Sequence, residues 1–211
     1  MSADQSKRFP LSPAPTTRLI LMRHGQPEER IHGRCYGSLD VNLSECGERQ
    51  ISGKIDLLRS FAPKLIYTSP AKRASASARR VAGELKVPIQ LADDLREISF
   101  GAFEGLTFDE IQRKYPAEYT FWMEKPTEIR FPGGESLADL SARVQAFLTG
   151  LLETHRAQTV LAVSHAGVIR LILANALGLP AKNIFQIDQS YAGISVIDYF
   201  DSTTLVRLIN G

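Results

Sequence analysis

Apolar residues fall into short blocks separated by polar and glycine- or proline-rich stretches, and the blocks alternate between strand and helix periods. Leu19-Ile20-Leu21-Met22 is an apolar run of strand length that ends in Arg23-His24-Gly25-Gln26. It predicts a buried strand of a parallel sheet whose carboxyl end delivers Arg23 and His24 into a crevice. Residues 27–42 keep no period and predict a loop lining that crevice, with Arg30, Arg34 and Tyr36 as candidate ligand contacts. Ser44 reads as the N-cap of a helix in which Ile51, Ile55 and Leu58 recur up to about Ser60. Leu65-Ile66-Tyr67 is a short strand, stopped by Thr68-Ser69-Pro70, and an Ala-rich helix runs over residues 71–86. Arg73 lies one turn into that helix and points back at the crevice, whereas Arg79 and Arg80 are further along and solvated.

The second half repeats this logic. Residues 88–91 predict an edge strand leading into Leu95-Arg96-Glu97-Ile98-Ser99-Phe100-Gly101-Ala102-Phe103-Glu104-Gly105, where two carboxylates sit among aromatic rings and glycines. A carboxyl group near apolar rings has a raised pKa, which suits a general acid, and spacing alone does not choose between Glu97 and Glu104. Residues 107–125 predict one or two short helices rich in aromatic side chains, and residues 131–136 a turn opening a long amphipathic helix. Residues 159–165 predict another apolar strand ending in a histidine, His165, with Ala166-Gly167 starting a helix whose free N–H groups favour phosphate. Residues 193–199 and 204–209 finish the chain as a hairpin-like pair of strands around Asp201-Ser202.

Two strand-end imidazoles beside guanidinium groups carry the chemistry. A neighbouring guanidinium disfavours the protonated ring, leaving a neutral nitrogen free to act as a nucleophile, while the guanidinium holds an anion. Attack on phosphorus is the natural outcome.

Composition narrows the picture. The 211 residues suit one domain over residues 18–211 after a loose tail at residues 1–17, and 44% hydrophobic with 23% charged residues is ordinary for a soluble globular protein. A net charge of +2 gives no basic face for nucleic acid, so any anion site is local. The two cysteines, Cys35 and Cys46, form no paired framework, and a reducing cytoplasm is the expected compartment. The longest apolar tract, residues 160–179, is interrupted by His165, Arg170 and Asn175, so no membrane span is expected. A metal hydrolase using His24, His32, His155, His165 and Cys35 is disfavoured, because these residues lack metal-ligand spacing and His155 sits at a polar helix end expected to be solvated.

Arg23-His24-Gly25, Ser69 through Arg73, Glu97 ahead of Phe100-Gly101, and Ser164-His165-Ala166-Gly167 resemble, in order, the motifs of the histidine phosphatase superfamily, the phosphoglycerate-mutase-like proteins. The resemblance covers residues 18–210. It implies a three-layer α/β/α sandwich with a mostly parallel sheet, and metal-independent chemistry through a phosphohistidine with no cofactor. His24 would be the nucleophile, Arg23, Arg73 and His165 its cationic pocket, and Glu97 the proton donor, with Glu104 structural. The expected substrate contacts are Gln26, Arg30, Arg34, Tyr36, Gly37 and Ala166, and the expected partner is a small phosphorylated substrate. A homodimer through the final strands is compatible with the pattern, which does not require it.

The compact segment at residues 105–131 favours hydrolysis over mutase activity. The Gly33-Arg34-Cys35-Tyr36-Gly37 segment, the turn at residues 131–136 and Ile187-Asp188-Gln189-Ser190 look like the α-ribazole-5'-phosphate phosphatases of cobalamin assembly, and broad-specificity phosphatases share much of this. A phosphoglycerate mutase or an inactive binding module on the same fold are the alternatives. Members often have Thr where this chain has Pro27, and commonly Asn where it has Arg30, which bears on substrate more than on reaction type.

Overall fold

The computed structural model describes residues 14–211. Six strands, β1 (Thr17–Arg23), β2 (Leu65–Thr68), β3 (Ile89–Leu91), β4 (Gln158–Ser164), β5 (Ile194–Tyr199) and β6 (Thr204–Leu208), form one sheet in the order β3-β2-β4-β1-β5-β6. Pairing is parallel from β3 through β2 and β4 to β1, and antiparallel from β1 to β5 and from β5 to β6. The parallel strands place their carboxyl ends on one rim, and β5 and β6 supply the expected hairpin.

Among the described residues seven α-helices accompany the sheet: α1 (Glu45–Ser52), α2 (Ile55–Phe61), α3 (Lys72–Leu85), α4 (Phe108–Lys114), α5 (Pro116–Glu124), α6 (Leu137–Thr154) and α7 (Ala166–Leu177). Alternation along β1 decides which helices cover which face. Ile20 and Met22 pack in a core with Ile51, Ile55, Leu58, Ala74 and Val81 of α1, α2 and α3. Leu19 and Leu21 pack in a second core with Leu140, Val144, Leu148, Val168 and Ile172 of α6 and α7. The result is the three-layer α/β/α sandwich. Leu19, Ile20, Leu21 and Met22 have no exposed surface, and each burial stabilises the fold by about 2 kcal/mol. A smaller cluster of Cys35, Phe103, Ile111, Ile129 and Phe131, with Trp122 and Tyr115 against it, lies under the short helices α4 and α5.

Local signals set the helix starts. Ser44 accepts the Gly47 N–H as N-cap of α1, and Thr107–Glu110 and Ser136–Asp139 form reciprocal capping boxes that open α4 and α6. Two expectations change. The helix expected up to Ser60 is two helices, because Gly53 caps α1 and the chain restarts at Ile55. Thr17, expected in the tail at residues 1–17, is fully buried and opens β1 opposite Gln158 and Tyr199, while residues 1–13 lie outside the described part. The last helix starts at Ala166, directly after His165, where Ala166-Gly167 place it. Among the described residues no helix is long and apolar enough to cross a membrane.

Candidate active site

The register of β1 against β4 pairs Arg23 with Ser164, so the residues that follow, His24 and His165, leave neighbouring strand ends side by side. The His24 N–H donates to the Ser164 carbonyl at 3.0 Å, and the two imidazole rings meet edge to face with centroids 5.1 Å apart. The turn after β2 then brings Arg73, in the first turn of α3, under the same rim. A Cβ at Gly25 would sit 2.5 Å from the Gly47 carbonyl oxygen, and one at Gly47 would sit 2.2 Å from the Gln26 carbonyl oxygen. Two facing glycines therefore let the chain after His24 rest on the first turn of α1.

The His24 tautomer follows from its neighbours. Nδ1 lies 2.7 Å from the Gly25 carbonyl oxygen, which can only accept, so Nδ1 carries the proton. Nε2 is left as an acceptor and receives the Arg73 Nε–H at 3.3 Å. Burial, then the charges of Arg73 and Arg23, hold the His24 imidazolium well below the usual range, so the ring is neutral. His165 is fully buried and is likewise held well below, by burial first and then by Arg73, His24 and Arg23. Its Nε2 lies 2.8 Å from the Ser69 hydroxyl, and its Nδ1 is buried without a partner, as is Nε of Arg23. Buried polar atoms without partners are uncommon, and these two stand in a cluster of cationic and imidazole groups suited to an anion.

Arg73 is fully buried and its guanidinium donates to the carbonyls of Leu39, Tyr36 and Gly37 at 2.8, 3.1 and 2.8 Å. Arg23 donates to the Gln189 carbonyl, and its guanidinium lies 4.0 Å above the Tyr191 ring centre. Glu97 accepts the backbone N–H groups of Ile98 and Gly167, each at 3.0 Å. Arg143 of α6 fixes the backbone around Glu97 by donating to the carbonyls of Asp94, Arg96 and Glu97, and it is paired with Glu135. Glu104 instead accepts backbone N–H groups from Ser38, Leu39 and Phe100. Both carboxylates thus hold backbone N–H groups, and of the two it is Glu97 that also lines the cavity described next.

Arg23, His24, Arg34, Tyr36, Arg73 and Glu97 line one cavity of about 200 Å³ whose outer wall is Phe100, Phe108 and Trp122. Phe108 and Trp122 stack nearly parallel, with centroids 5.3 Å apart. Cys35 is a further wall residue; burial, then the Glu104 charge, push its thiol up to about 12. Arg34 reaches the rim while donating to the Gly105 carbonyl at 2.8 Å and pairing with Glu110 at 3.1 Å. Gly37 contributes its backbone, and a Cβ there would fall 1.7 Å from the Ile98 carbonyl oxygen. Ala166 opens α7, and the next N–H, that of Gly167, is the one given to Glu97.

Other expected positions lie elsewhere. Arg30 is exposed and bonds to Glu28 at 2.8 Å, so it does not take the place of a phosphoryl-holding Asn. The Gln26 amide turns outward to His32 at 3.4 Å. His155 is buried, not solvated, because the chain turns under β4 after α6: its ring bonds to the Tyr67 hydroxyl at 2.9 Å and the Gln158 side chain at 3.2 Å. Among the described residues no group of three or more His, Cys, Asp or Glu is placed to hold a metal ion. Tyr191 and Arg143 are the contributors that sequence reading missed. Neither lies in a local pattern, although Tyr191 precedes a strand that pairs with the one ending at Arg23.

A family model described as "Histidine phosphatase superfamily (branch 1)" matches residues 19–211. The chain is 33% identical over 193 residues to phosphoserine phosphatase 1 of Hydrogenobacter thermophilus, covering 92% of each chain. It is 30% identical over 195 residues to the adenosylcobalamin/alpha-ribazole phosphatase of Escherichia coli, covering 92% of this chain and 95% of the relative. The crystal structure of the alpha-ribazole phosphatase from Shigella flexneri superposes with a TM-score of 0.84 at 28% identity, covering 92% of this chain and 96% of that one. With His24, Arg23, Arg73 and Glu97 lining one cavity and the buried His165 beside His24, the chain belongs to the histidine phosphatase superfamily, as a phosphatase on the phosphoglycerate-mutase-like fold.

Proposed function

We propose that the chain hydrolyses a small phosphate monoester through a phosphohistidine formed at Nε2 of His24. The observation that carries this reading is the hydrogen bond from Nδ1 to the Gly25 carbonyl, which leaves Nε2 unprotonated, held only by the long bond it accepts from Arg73, beside Arg23 and His165. In the first step Nε2 bonds to phosphorus as the ester P–O bond breaks. Arg23, Arg73 and His165 meet the charge on the phosphoryl oxygens, and Glu97, entering protonated, gives its proton to the leaving oxygen. In the second step Glu97, now a carboxylate, takes a proton from water as the water oxygen attacks phosphorus and the P–N bond breaks. Inorganic phosphate leaves and Glu97 is protonated again. No step calls for a metal or cofactor.

The aromatic wall of Phe100, Phe108 and Trp122 supports a flat apolar leaving portion, and α-ribazole-5'-phosphate has one. A second reading, phosphoserine, is favoured by the Arg34–Glu110 pair at the rim, which offers one charge each to a carboxylate and an ammonium group. Among the described residues the cavity lining adds only Arg34 to Arg23 and Arg73, too few cations for a second phosphate, and this supports hydrolysis over mutase chemistry. The free cysteines Cys35 and Cys46 suit the reducing cytoplasm.

The test is phosphate release from α-ribazole-5'-phosphate, phosphoserine and 3-phosphoglycerate, without bisphosphate primer and with EDTA present, beside His24→Ala. Preference for the ribazole ester, lost in the variant and accompanied by an acid-labile, alkali-stable phosphoenzyme in the wild type, is expected. Turnover that survives His24→Ala overturns the mechanism, and preference for phosphoserine replaces the substrate.

A further inference from the structure

Two tyrosines join across the cavity. The Tyr36 and Tyr191 hydroxyls are 2.8 Å apart, one on the loop after β1 and the other on the segment entering β5. Each ring is placed against one of the two arginines. The Arg23 guanidinium lies 4.0 Å above the Tyr191 ring, and that of Arg73 lies 5.2 Å from the Tyr36 ring centre. The Tyr191 ring also meets the His24 ring at 5.7 Å. Arg23, Tyr191, Tyr36 and Arg73 thus form a continuous chain beside the His24 imidazole, which Arg73 bonds and Tyr191 touches. Burial, and then the bond to Tyr191, raise the Tyr36 hydroxyl above the ordinary phenol range, so it stays neutral and its ring keeps the electron-rich face a guanidinium seeks.

The segment carrying Tyr191 is itself fixed. The Gln189 carbonyl accepts from Arg23, so both holds on that guanidinium come from residues 189–191. The Ala192 N–H donates to the His24 carbonyl at 3.2 Å, and the Arg23 N–H to the Gly193 carbonyl at 3.1 Å. From the far side Asn210 accepts the Ser190 N–H at 2.7 Å and donates to Asp188 at 3.1 Å.

Building on the phosphoryl-transfer reading, we infer that Tyr191 is a positioning residue whose ring and shared hydroxyl hold Arg23 and Arg73 in one preset anion clamp. An arginine on a free loop would have to be ordered by each incoming phosphoryl group, whereas this one is ordered beforehand. The clamp serves the phosphoryl oxygens common to all esters and not the leaving group, which faces Phe108 and Trp122.

Y191L removes the ring, Y191F and Y36F remove only the hydroxyl bridge, and Y36F/Y191F removes the bridge once. Inhibition by vanadate is measured with kcat/KM for an aromatic and an alkyl phosphate ester, and phosphate binding is measured by calorimetry with each tyrosine variant in the His24→Ala background. Y191L is expected to weaken vanadate inhibition and kcat/KM for both esters by about tenfold, leaving the ratio between the esters unchanged. Each single Phe variant is expected to lose about threefold, and the double variant no more than the weaker single one, because one bond is shared. Vanadate inhibition within about twofold of wild type in folded Y191L, a changed ester ratio, or multiplicative losses in the double variant overturn the inference. If Y191L does not fold, the Phe cycle decides alone. Phosphate binding in the His24→Ala background reports on the clamp without chemistry, so failure of the phosphohistidine reading and failure of the clamp give different results.

Discussion

Nδ1 of His24 is tied to the carbonyl of Gly25, its own chain neighbour, at 2.7 Å. The bond sets which nitrogen faces Arg73, and it exists because the chain after His24 lies flat on Gly47. The strand end, the ring tautomer and the nucleophile thus share one local cause.

The two neutral imidazoles make a pH prediction. His24 and His165 are both held well below the usual range, by burial first and then by the guanidinium charges. Above about pH 6.5, the ordinary histidine value, neither folded nor unfolded chain binds these protons and they contribute no pH dependence. Below it the unfolded chain takes up protons that the folded chain refuses, so stability falls with acid, by up to about 1.4 kcal/mol per pH unit for each ring. Thermal unfolding should be flat from about pH 7 to 8.5 and drop below about pH 6, and His165→Asn should have the shallower slope. An unchanged slope in that variant would refute the assignment.

The arrangement of β1, β4 and α3 was legible because strand-length apolar runs ending in histidine need no distant information. Ser44, Thr107 and Ser136 announced helix starts because capping is local. Arg30 was misread because sequence order put it in the site loop without showing that Glu28, two residues away, takes its charge. His155 was misread because its partner Tyr67 comes from β2, a contact set by the sheet and not by any period. Tyr191 was missed for the same reason, since it reaches Arg23 only through the pairing of β5 with β1.

Glu97→Gln tests proton donation. Its carboxylate is aimed by the N–H groups of Ile98 and Gly167, which an amide oxygen can partly keep, so the fold should be retained. Loss of the transferable proton should slow alkyl phosphate esters by about 10² to 10³-fold. An ester of a good leaving group such as p-nitrophenol needs little protonation and should be much less affected. Equal losses for both esters would contradict the role.

Gly167→Ala probes the same group without touching it chemically. A Cβ at Gly167 would lie 2.4 Å from Oε1 of Glu97 and 3.4 Å from a Leu140 methyl carbon. Gly167 is in the first turn of α7, where alanine is favourable, so stability should change by less than about 1 kcal/mol. The carboxylate has to move by the better part of an ångström, and a displacement of that size should lower kcat for alkyl esters by roughly tenfold or more. Wild-type kcat in a stable Gly167→Ala protein would show that the position of Glu97 does not matter.

Arg143→Lys separates holding the loop from doing the chemistry. The guanidinium reaches the carbonyls of Asp94, Arg96 and Glu97 and both oxygens of Glu135, five contacts in a forked geometry that a single ammonium cannot reproduce. Burial alone would raise the Glu135 carboxyl, yet the bonds from Arg143 and the Ser99 N–H outweigh it and hold the group below its ordinary value. Charge-assisted bonds of this kind contribute about 1.5–3 kcal/mol each where buried, and with the pair partly open to water the variant should lose about 2–3 kcal/mol in total. If Arg143 acts by fixing the backbone that carries Glu97, alkyl esters should slow more than p-nitrophenyl phosphate, as in Glu97→Gln, while vanadate inhibition stays near wild type. A uniform loss across both esters and vanadate would place Arg143 in the anion site itself, which its distance behind the Glu97 loop does not support.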